Sequence, residues 1–304
     1  MNTSSSMISS TPKILLIGNG INLAYKDKSW EEIVRKELAK NSVDLSWEDI
    51  KSIPSTMQIV LATKNHVDTC LEDFAKEMEN QNLSKDRADF LRKLSSLPMD
   101  CFLSTNYGFE IEKAMGFTGS VFSYRTKTIW TNKDKGMKDK FRFYQYYPLE
   151  QVSGAIKELW HIHGDIAKPS GMVMGHYYYG KLIGEIQKRI PEILRNYRSF
   201  ESKGIPYKPK SWVDWFMISD VYILGFGMYL CESDIWWLMC CKQREFPKTK
   251  VLYYPGSMKR NDERRLLLEA YGGSVIDTIT SPVNNSDYCR YYDEVIYDIF
   301  ERCK

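Results

Sequence analysis

No two cysteines in this 304-residue sequence form a C-x-x-C pair; the seven stand at positions 70, 101, 231, 240, 241, 289 and 303. An odd and scattered set argues against a zinc ribbon and against a secreted disulfide framework. Long apolar runs are missing as well: none approaches the ~18 residues that a membrane span needs. The Ser/Thr-rich start, residues 1–11, lacks the basic-then-apolar order of a secretory leader and reads as a flexible N-terminus. A soluble protein in a reducing cytoplasm is the expectation. Strong charge of one sign is also absent. With 42 basic and 39 acidic residues the formal charge is +3, which gives no general drive toward nucleic acid or an anionic membrane, so neither is expected as a partner. The one basic concentration, residues 127–142 with Lys133, Lys135, Lys138 and Lys140, also carries Asp134 and Asp139 and reads as a solvated face.

Aromatic residues are plentiful at 13%, with 20 Tyr and 8 Trp, inside a 43% hydrophobic total. Such a chain can bury a substantial core. Its length fits one large α/β domain, residues 12–304, with an inserted smaller lobe.

Ile14-Leu15-Leu16-Ile17 running into Gly18-Asn19-Gly20 reads as a buried strand ending at a glycine turn. From Ser29-Trp30-Glu31-Glu32, a capping-box pattern, the chain reads as helical to about residue 97. Val67, Cys70, Leu71, Phe74 and Met78 mark one helix by spacings of three and four, and Phe90, Leu91, Leu94 and Leu97 another. Further strands are expected at 101–104, 158–163, 221–224, 250–254 and 274–276, with helices at about 235–239, 260–271 and 288–303. The pattern predicts a Rossmann-like parallel sheet core with a helical lobe drawn from 29–97 and parts of 109–210.

The first glycine turn lets backbone N–H groups approach a phosphate, because glycine has no Cβ in the way; a purely structural turn remains the alternative. Leu23 stands where a dinucleotide fingerprint needs its third glycine, and the second strand of that βαβ unit is replaced by helix. No Gly-Lys-Ser/Thr follows the turn, and no G-x-S-x-G elbow supplies a serine nucleophile. Hydride transfer, Walker-type phosphate binding and serine hydrolysis are thereby disfavoured. Asn106, just past the strand ending at Ser104, offers a donor and an acceptor without charge, suited to a ribose hydroxyl or a water. In Leu159-Trp160-His161-Ile162-His163-Gly164-Asp165, a histidine at a strand end is placed as a general base near its ordinary pKa of ~6.5. If the strand continues, His161 and His163 share a face, so a metal-holding pair and two structural histidines stay open. Cys240 and Cys241 read as packing residues of a helix.

Taken in order, Ile17-Gly18-Asn19-Gly20-Ile21-Asn22, Ser104-Thr105-Asn106-Tyr107, His161-Ile162-His163-Gly164-Asp165 and Leu224-Gly225-Phe226-Gly227 resemble the motif series of the sirtuin-like superfamily. The resemblance is closest to divergent bacterial members of antiphage defence and abortive infection. It implies that Gly18, Asn19, Gly20 and Asn22 wrap the NAD⁺ phosphates and that Thr105 and Asp165 belong to the same binding motifs. Asn106 and His163 become the catalytic pair, and Gly225 and Gly227 close over the adenosine side. Two departures accompany it: Gly108 stands where the family usually has aspartate, and the four zinc cysteines of protein deacylases are missing. The implied activity is NAD⁺ glycohydrolysis, an NADase yielding nicotinamide and ADP-ribose or cyclic ADP-ribose. NAD⁺ is then the substrate, with no zinc and no bound helper cofactor. The implied partners are further copies of the chain or a separately encoded sensor. A non-catalytic nucleotide-binding sensor or scaffold and a deacylase are the alternatives.

Overall fold

The computed structural model describes residues 11–23, 25, 30–79, 83–117, 127–128, 141–151, 153–284 and 287–304. Residues 1–10, Ser29 and the four lysines at 133–140 lie outside that set.

Strand β1 (Lys13–Ile17) leads to a one-turn helix α1 (Gly20–Leu23). Then come α2 (Trp30–Lys40), α3 (Trp47–Ile50), α4 (Ser55–Ala62), α5 (Val67–Glu79) and α6 (Lys85–Ser96). The chain continues through β2 (Cys101–Ser104), α7 (Glu110–Ala114), β3 (Lys127–Thr128), β4 (Gln145–Glu150) and β5 (Ile156–His161). After a single 3-10 turn at Pro169–Gly171 follow α8 (His176–Glu201), α9 (Trp212–Ile218), β6 (Asp220–Leu224), α10 (Ser233–Glu245) and β7 (Val251–Tyr253). Helix α11 (Glu263–Ala270), β8 (Gly273–Val275) and α12 (Tyr288–Cys303) complete it.

The strands lie in the order β3-β4-β5-β2-β1-β6-β7-β8. All neighbours from β5 to β8 run parallel. The expected α/β core with a Rossmann-like parallel sheet is thus present, with one correction: β4 runs antiparallel to β5, and the short β3 antiparallel to β4. Pro148, which cannot donate to a ladder, and the near absence of aliphatic residues hid β4 from the sequence pattern.

Buried parallel strands need apolar side chains on both faces, and the period of two divides them cleanly. Leu15, Ile17, Phe102, Leu159, Tyr222 and Leu224 pack with Phe74, Leu91, Tyr292 and Val295 of α5, α6 and α12. Ile14, Leu16, Leu103, Trp160, Val221 and Ile223 pack on the opposite face with Leu182, Trp212, Met217 and Leu238 of α8, α9 and α10. Within the segment expected as a helical lobe, α5 and α6 therefore belong to the sheet's own core, while Val34, Leu38, Ile50 and Ala62 of α2–α4 form a small separate cluster. No helix among the described residues is long and apolar enough to cross a membrane.

Lys242 is a fold residue that the sequence reading did not pick out. Burial in α10 pushes its pKa down to about 7, and its Nζ donates to the carbonyls of Phe216, Met217 and Ser219 at 2.9, 3.0 and 2.5 Å, closing the end of α9 just before β6. Helix-end carbonyls have no intrahelical donor, so Lys242→Met is expected to lower stability by about 2–3 kcal/mol. A urea midpoint equal to that of the parent protein would refute this cap.

The parallel register aligns Ile17 with Ser104 and Leu224, and Ser104 with His161. Four strands consequently end in one row, and the segments after them all emerge on the same edge of the sheet. The chain leaves β1 toward β2 on one side and returns to β6 on the other. That reversal opens a crevice at the carboxyl ends, where open α/β sheets bind ligands.

Candidate active site

A cavity of about 1210 Å³ occupies that crevice, above the ~300–1,000 Å³ usual for small-molecule pockets. Of the residues singled out in the sequence, Asn19, Gly20, Thr105, Asn106, His163, Gly225 and Gly227 line it. Gly18, Asn22 and Asp165 do not.

The two glycine turns are built against each other. Gly18 N–H donates to the carbonyl of Leu224 at 2.9 Å, and Gly20 N–H to that of Gly225 at 2.6 Å. A Cβ on Gly18 would lie 2.4 Å from the Gly225 oxygen, and one on Gly20 2.7 Å from the same atom. Gly225 itself has φ +66°, the left-handed region that glycine enters without penalty. Both N–H groups are therefore engaged within the protein in this structure. Asn19, exposed between them, lines the cavity together with Gly20. Gly18→Ala is expected to cost about 1–3 kcal/mol by overpacking against backbone. An unchanged urea midpoint would show that the two turns can separate freely.

Asn22 sits beneath the turn and supports it. Its Nδ2 donates to Asn19 Oδ1 at 3.0 Å, and its Oδ1 accepts from Arg87 Nη2 at 2.9 Å. Arg87 in turn lies 3.8 Å from Glu110. The Glu110 carboxylate reaches to 2.1 Å from where a Cβ on Gly108 would stand. Gly108 therefore leaves room that the carboxylate of Glu110 fills, so an acidic group is present there without an aspartate at 108. Arg87 and Glu110 were not singled out in the sequence.

Strand β5 stops at His161, two residues before its expected end, because the turn through Gly164, at φ +82°, begins immediately. The two histidines consequently do not share a strand face, and their environments differ. His161 Nδ1 faces the Asn106 carbonyl oxygen at 2.7 Å and Nε2 faces Glu112 Oε1 at 2.8 Å. With an acceptor at each nitrogen the ring is held as imidazolium. Burial opposes the charge, but Glu112, Asp165 and the Asn106 carbonyl outweigh it and raise the pKa to about 9. His161 is thus a clamp on the Asn106 turn. Asn106 is buried; its N–H donates to Ser104 Oγ at 3.1 Å and its Nδ2 lies 3.5 Å from the Gly18 carbonyl. Its Oδ1 has no hydrogen-bond partner among the described residues.

His163 Nε2 lies 2.8 Å from Asp234 Oδ2, and the ring meets Tyr179 edge-on at 5.2 Å. Burial works against its charge, but Asp234, by charge and hydrogen bond, and Glu232, by charge, prevail and leave the pKa raised. Glu232, which also lines the cavity, accepts from the Tyr179 hydroxyl at 3.0 Å. Burial and the neighbouring Asp234 push its carboxyl up, against His163 and Tyr179, to about 7. One ligand atom from each of His163, Glu232 and Asp234 falls within 4.8 Å of the others, a set able to take a divalent cation. Tetrahedral zinc with bonds of ~2.0–2.2 Å separates its ligands by roughly 3.3 Å, so the 2.8 Å contact has the spacing of a hydrogen bond. Glu232 and Asp234, the N-cap residue and a first-turn residue of α10, were not singled out in the sequence.

Asp165 is turned away from the cavity. It is fully buried, paired with Arg142 at 2.8 Å, and accepts from the Tyr147 hydroxyl at 3.0 Å. Its place is behind β5, where it adds to the charge around His161. Compared with known proteins, the chain matches no family model and has no significant match among curated proteins.

Proposed function

We propose that this chain is an NADase that cleaves the nicotinamide–ribose bond of NAD⁺. The observation that carries the reading is the meeting of Asn106, His163, Asn19 and Gly225 on one large cavity at the switch point of the sheet. Nicotinamide is a good leaving group in its cationic glycoside, so the site must chiefly hold the ribose, stabilise an oxocarbenium-like transition state and admit a nucleophile. The carboxylates of Glu232 and Asp234 supply negative charge beside His163. Asn106 Oδ1, buried without a partner among the described residues, accepts from a ribose hydroxyl or from water. His163 takes the proton as water attacks. Attack by water gives ADP-ribose, and attack by an adenine nitrogen gives the cyclic product.

The resemblance to antiphage and abortive-infection proteins makes the cell's own NAD⁺, in a bacterial cytoplasm, the target. Such an activity must be held in check, so assembly with further copies or with a separate sensor is part of the proposal. Tyr229 and Leu230, 60% and 53% exposed at the cavity rim, give assembly direct access to the site.

The test is mass balance: purified protein, with any co-purifying partner retained, is incubated with NAD⁺ and the products are separated. Nicotinamide and ADP-ribose or its cyclic form in equal amounts support the reading. Saturable NAD⁺ binding without turnover by the intact, triggered assembly would replace it with a sensor. A monomer fully active without partner or trigger would overturn the assembly proposal.

A further inference from the structure

We propose that Asp234 is the positioning residue of His163: it holds the imidazole through Nε2 and so presents Nδ1 to the cavity as the base. What that base does rests on the NADase reading; how it is held does not.

The carboxylate of Asp234 is completely buried in the first turn of α10. There the helix N-terminus favours negative charge. Its Oδ2 meets His163 Nε2 at 2.8 Å, while its Oδ1 has no partner among the described residues. The ring is fixed from other directions as well. Tyr179 of α8 packs edge-on against it, and the His163 carbonyl accepts from Val173 N–H at 2.8 Å. The charged and titratable groups facing His163 are therefore Glu232 at the N-cap of α10, Asp234 within its first turn, and Tyr179, whose hydroxyl donates to Glu232. Nδ1 has no protein partner among the described residues, and His163 lines the cavity.

A neutral imidazole carries one hydrogen, and an ionised carboxylate only accepts. The hydrogen of neutral His163 is therefore on Nε2, bonded to Asp234, and the lone pair is on Nδ1. As the water oxygen bonds to the ribose carbon and the bond to nicotinamide breaks, its electron pair leaves with nicotinamide. The water proton passes to Nδ1, and the imidazolium so formed is stabilised by Asp234 before the proton returns to solvent. An asparagine at 234 changes this with almost no change of shape. Its amide can donate to Nε2, which moves the ring hydrogen to Nδ1 and removes the lone pair from the cavity side.

The experiment is ¹⁵N NMR of histidine-labelled full-length protein, which has four histidines in all. His163 is assigned from the signal lost in His163→Gln. Wild-type neutral His163 is expected with hydrogen on Nε2, and Asp234→Asn with hydrogen on Nδ1. In the same variant kcat is expected to fall about tenfold to a hundredfold, with KM for NAD⁺ within about threefold. The rising limb of the pH profile should move to lower pH, because the charge that raised His163 is gone. Asp234→Glu, which restores a carboxylate, should recover part of kcat. A wild-type ring with its hydrogen on Nδ1 overturns the proposal even if no Asp234 variant folds. An unchanged tautomer, or an unchanged kcat and pH limb, in Asp234→Asn overturns it equally. The nitrogen shifts decide the matter whether or not the wild type consumes NAD⁺, so failure of the NADase reading is told apart from failure of this one.

Discussion

His163→Ala is expected to slow nicotinamide release by about 10²–10⁴-fold, and Asn106→Ala by a comparable factor, while NAD⁺ affinity stays within a few-fold. The expectation follows from where each polar atom points. The Gly18 carbonyl, 3.5 Å from Asn106 Nδ2, fixes the amide orientation, because only its NH₂ end can approach another carbonyl favourably. The opposite end, Oδ1, is then left as a buried acceptor unmatched among the described residues. Leaving such an atom unbonded costs about 1–3 kcal/mol, so a ligand hydroxyl or water that supplies the donor is held firmly and in one direction. In the proposed mechanism His163 contributes the base, with its ring set against Asp234 and Tyr179. Because the two groups act on one transition state, the double variant is expected to be little worse than either single one. Loss of NAD⁺ binding in parallel with rate would reduce both residues to binding groups. Nicotinamide release at the wild-type rate in either variant would remove that residue from the mechanism.

Elements whose signal is local were legible in the sequence. Helix α12 and helix α5 announce themselves by apolar residues every three or four positions, and β1 by four successive buried aliphatics before a glycine. The strands expected at 101–104 and 158–163 put Asn106 and His163 near one edge of the sheet, although β5 ends at His161. What was not legible depends on partners distant in the chain. Whether Gly18 and Gly20 form a phosphate cradle or a structural turn was left open in the sequence, because the carbonyls that engage them, of Leu224 and Gly225, belong to β6 and the turn after it, which only the sheet order brings alongside. His161 and His163 read as equivalents because nothing in a strand pattern locates the end of β5 to within two residues. Glu112, Glu232 and Asp234 were not singled out, because nothing local in the sequence marks an acid that will meet a buried histidine. Each became distinct only once a buried histidine was placed against it.

That distinction between the histidines leads to the largest expected effect on stability. His161 and Glu112 form a fully buried pair, and removing one member of such a pair costs about 3–5 kcal/mol, chiefly by stranding the other charge. His161→Leu is expected at the upper end, since the Glu112 carboxylate is left buried with its partner gone. Glu112→Gln should cost less, because an imidazole can shed its proton. Replacing both by leucine should recover much of the loss, since two apolar side chains strand no charge. The pH dependence has a definite sign. The folded-state pKa of His161, about 9, lies above its ordinary 6.5, so its stabilisation is complete below pH 6.5 and is lost as pH rises through about 9. At ~1.4 kcal/mol per pH step, the loss across that window is on the order of 3 kcal/mol. Glu112→Gln should flatten that slope, because the charge that holds His161 protonated is removed. Urea midpoints at pH 6.5, 8 and 9.5 test this; parallel slopes in the two proteins would show that the pair carries no linked proton. Because His161 Nδ1 also grips the Asn106 carbonyl, loss of the ring's charge weakens the clamp on the Asn106 turn. Nicotinamide release by the wild type should therefore decline above pH 9 at temperatures where the protein is still folded.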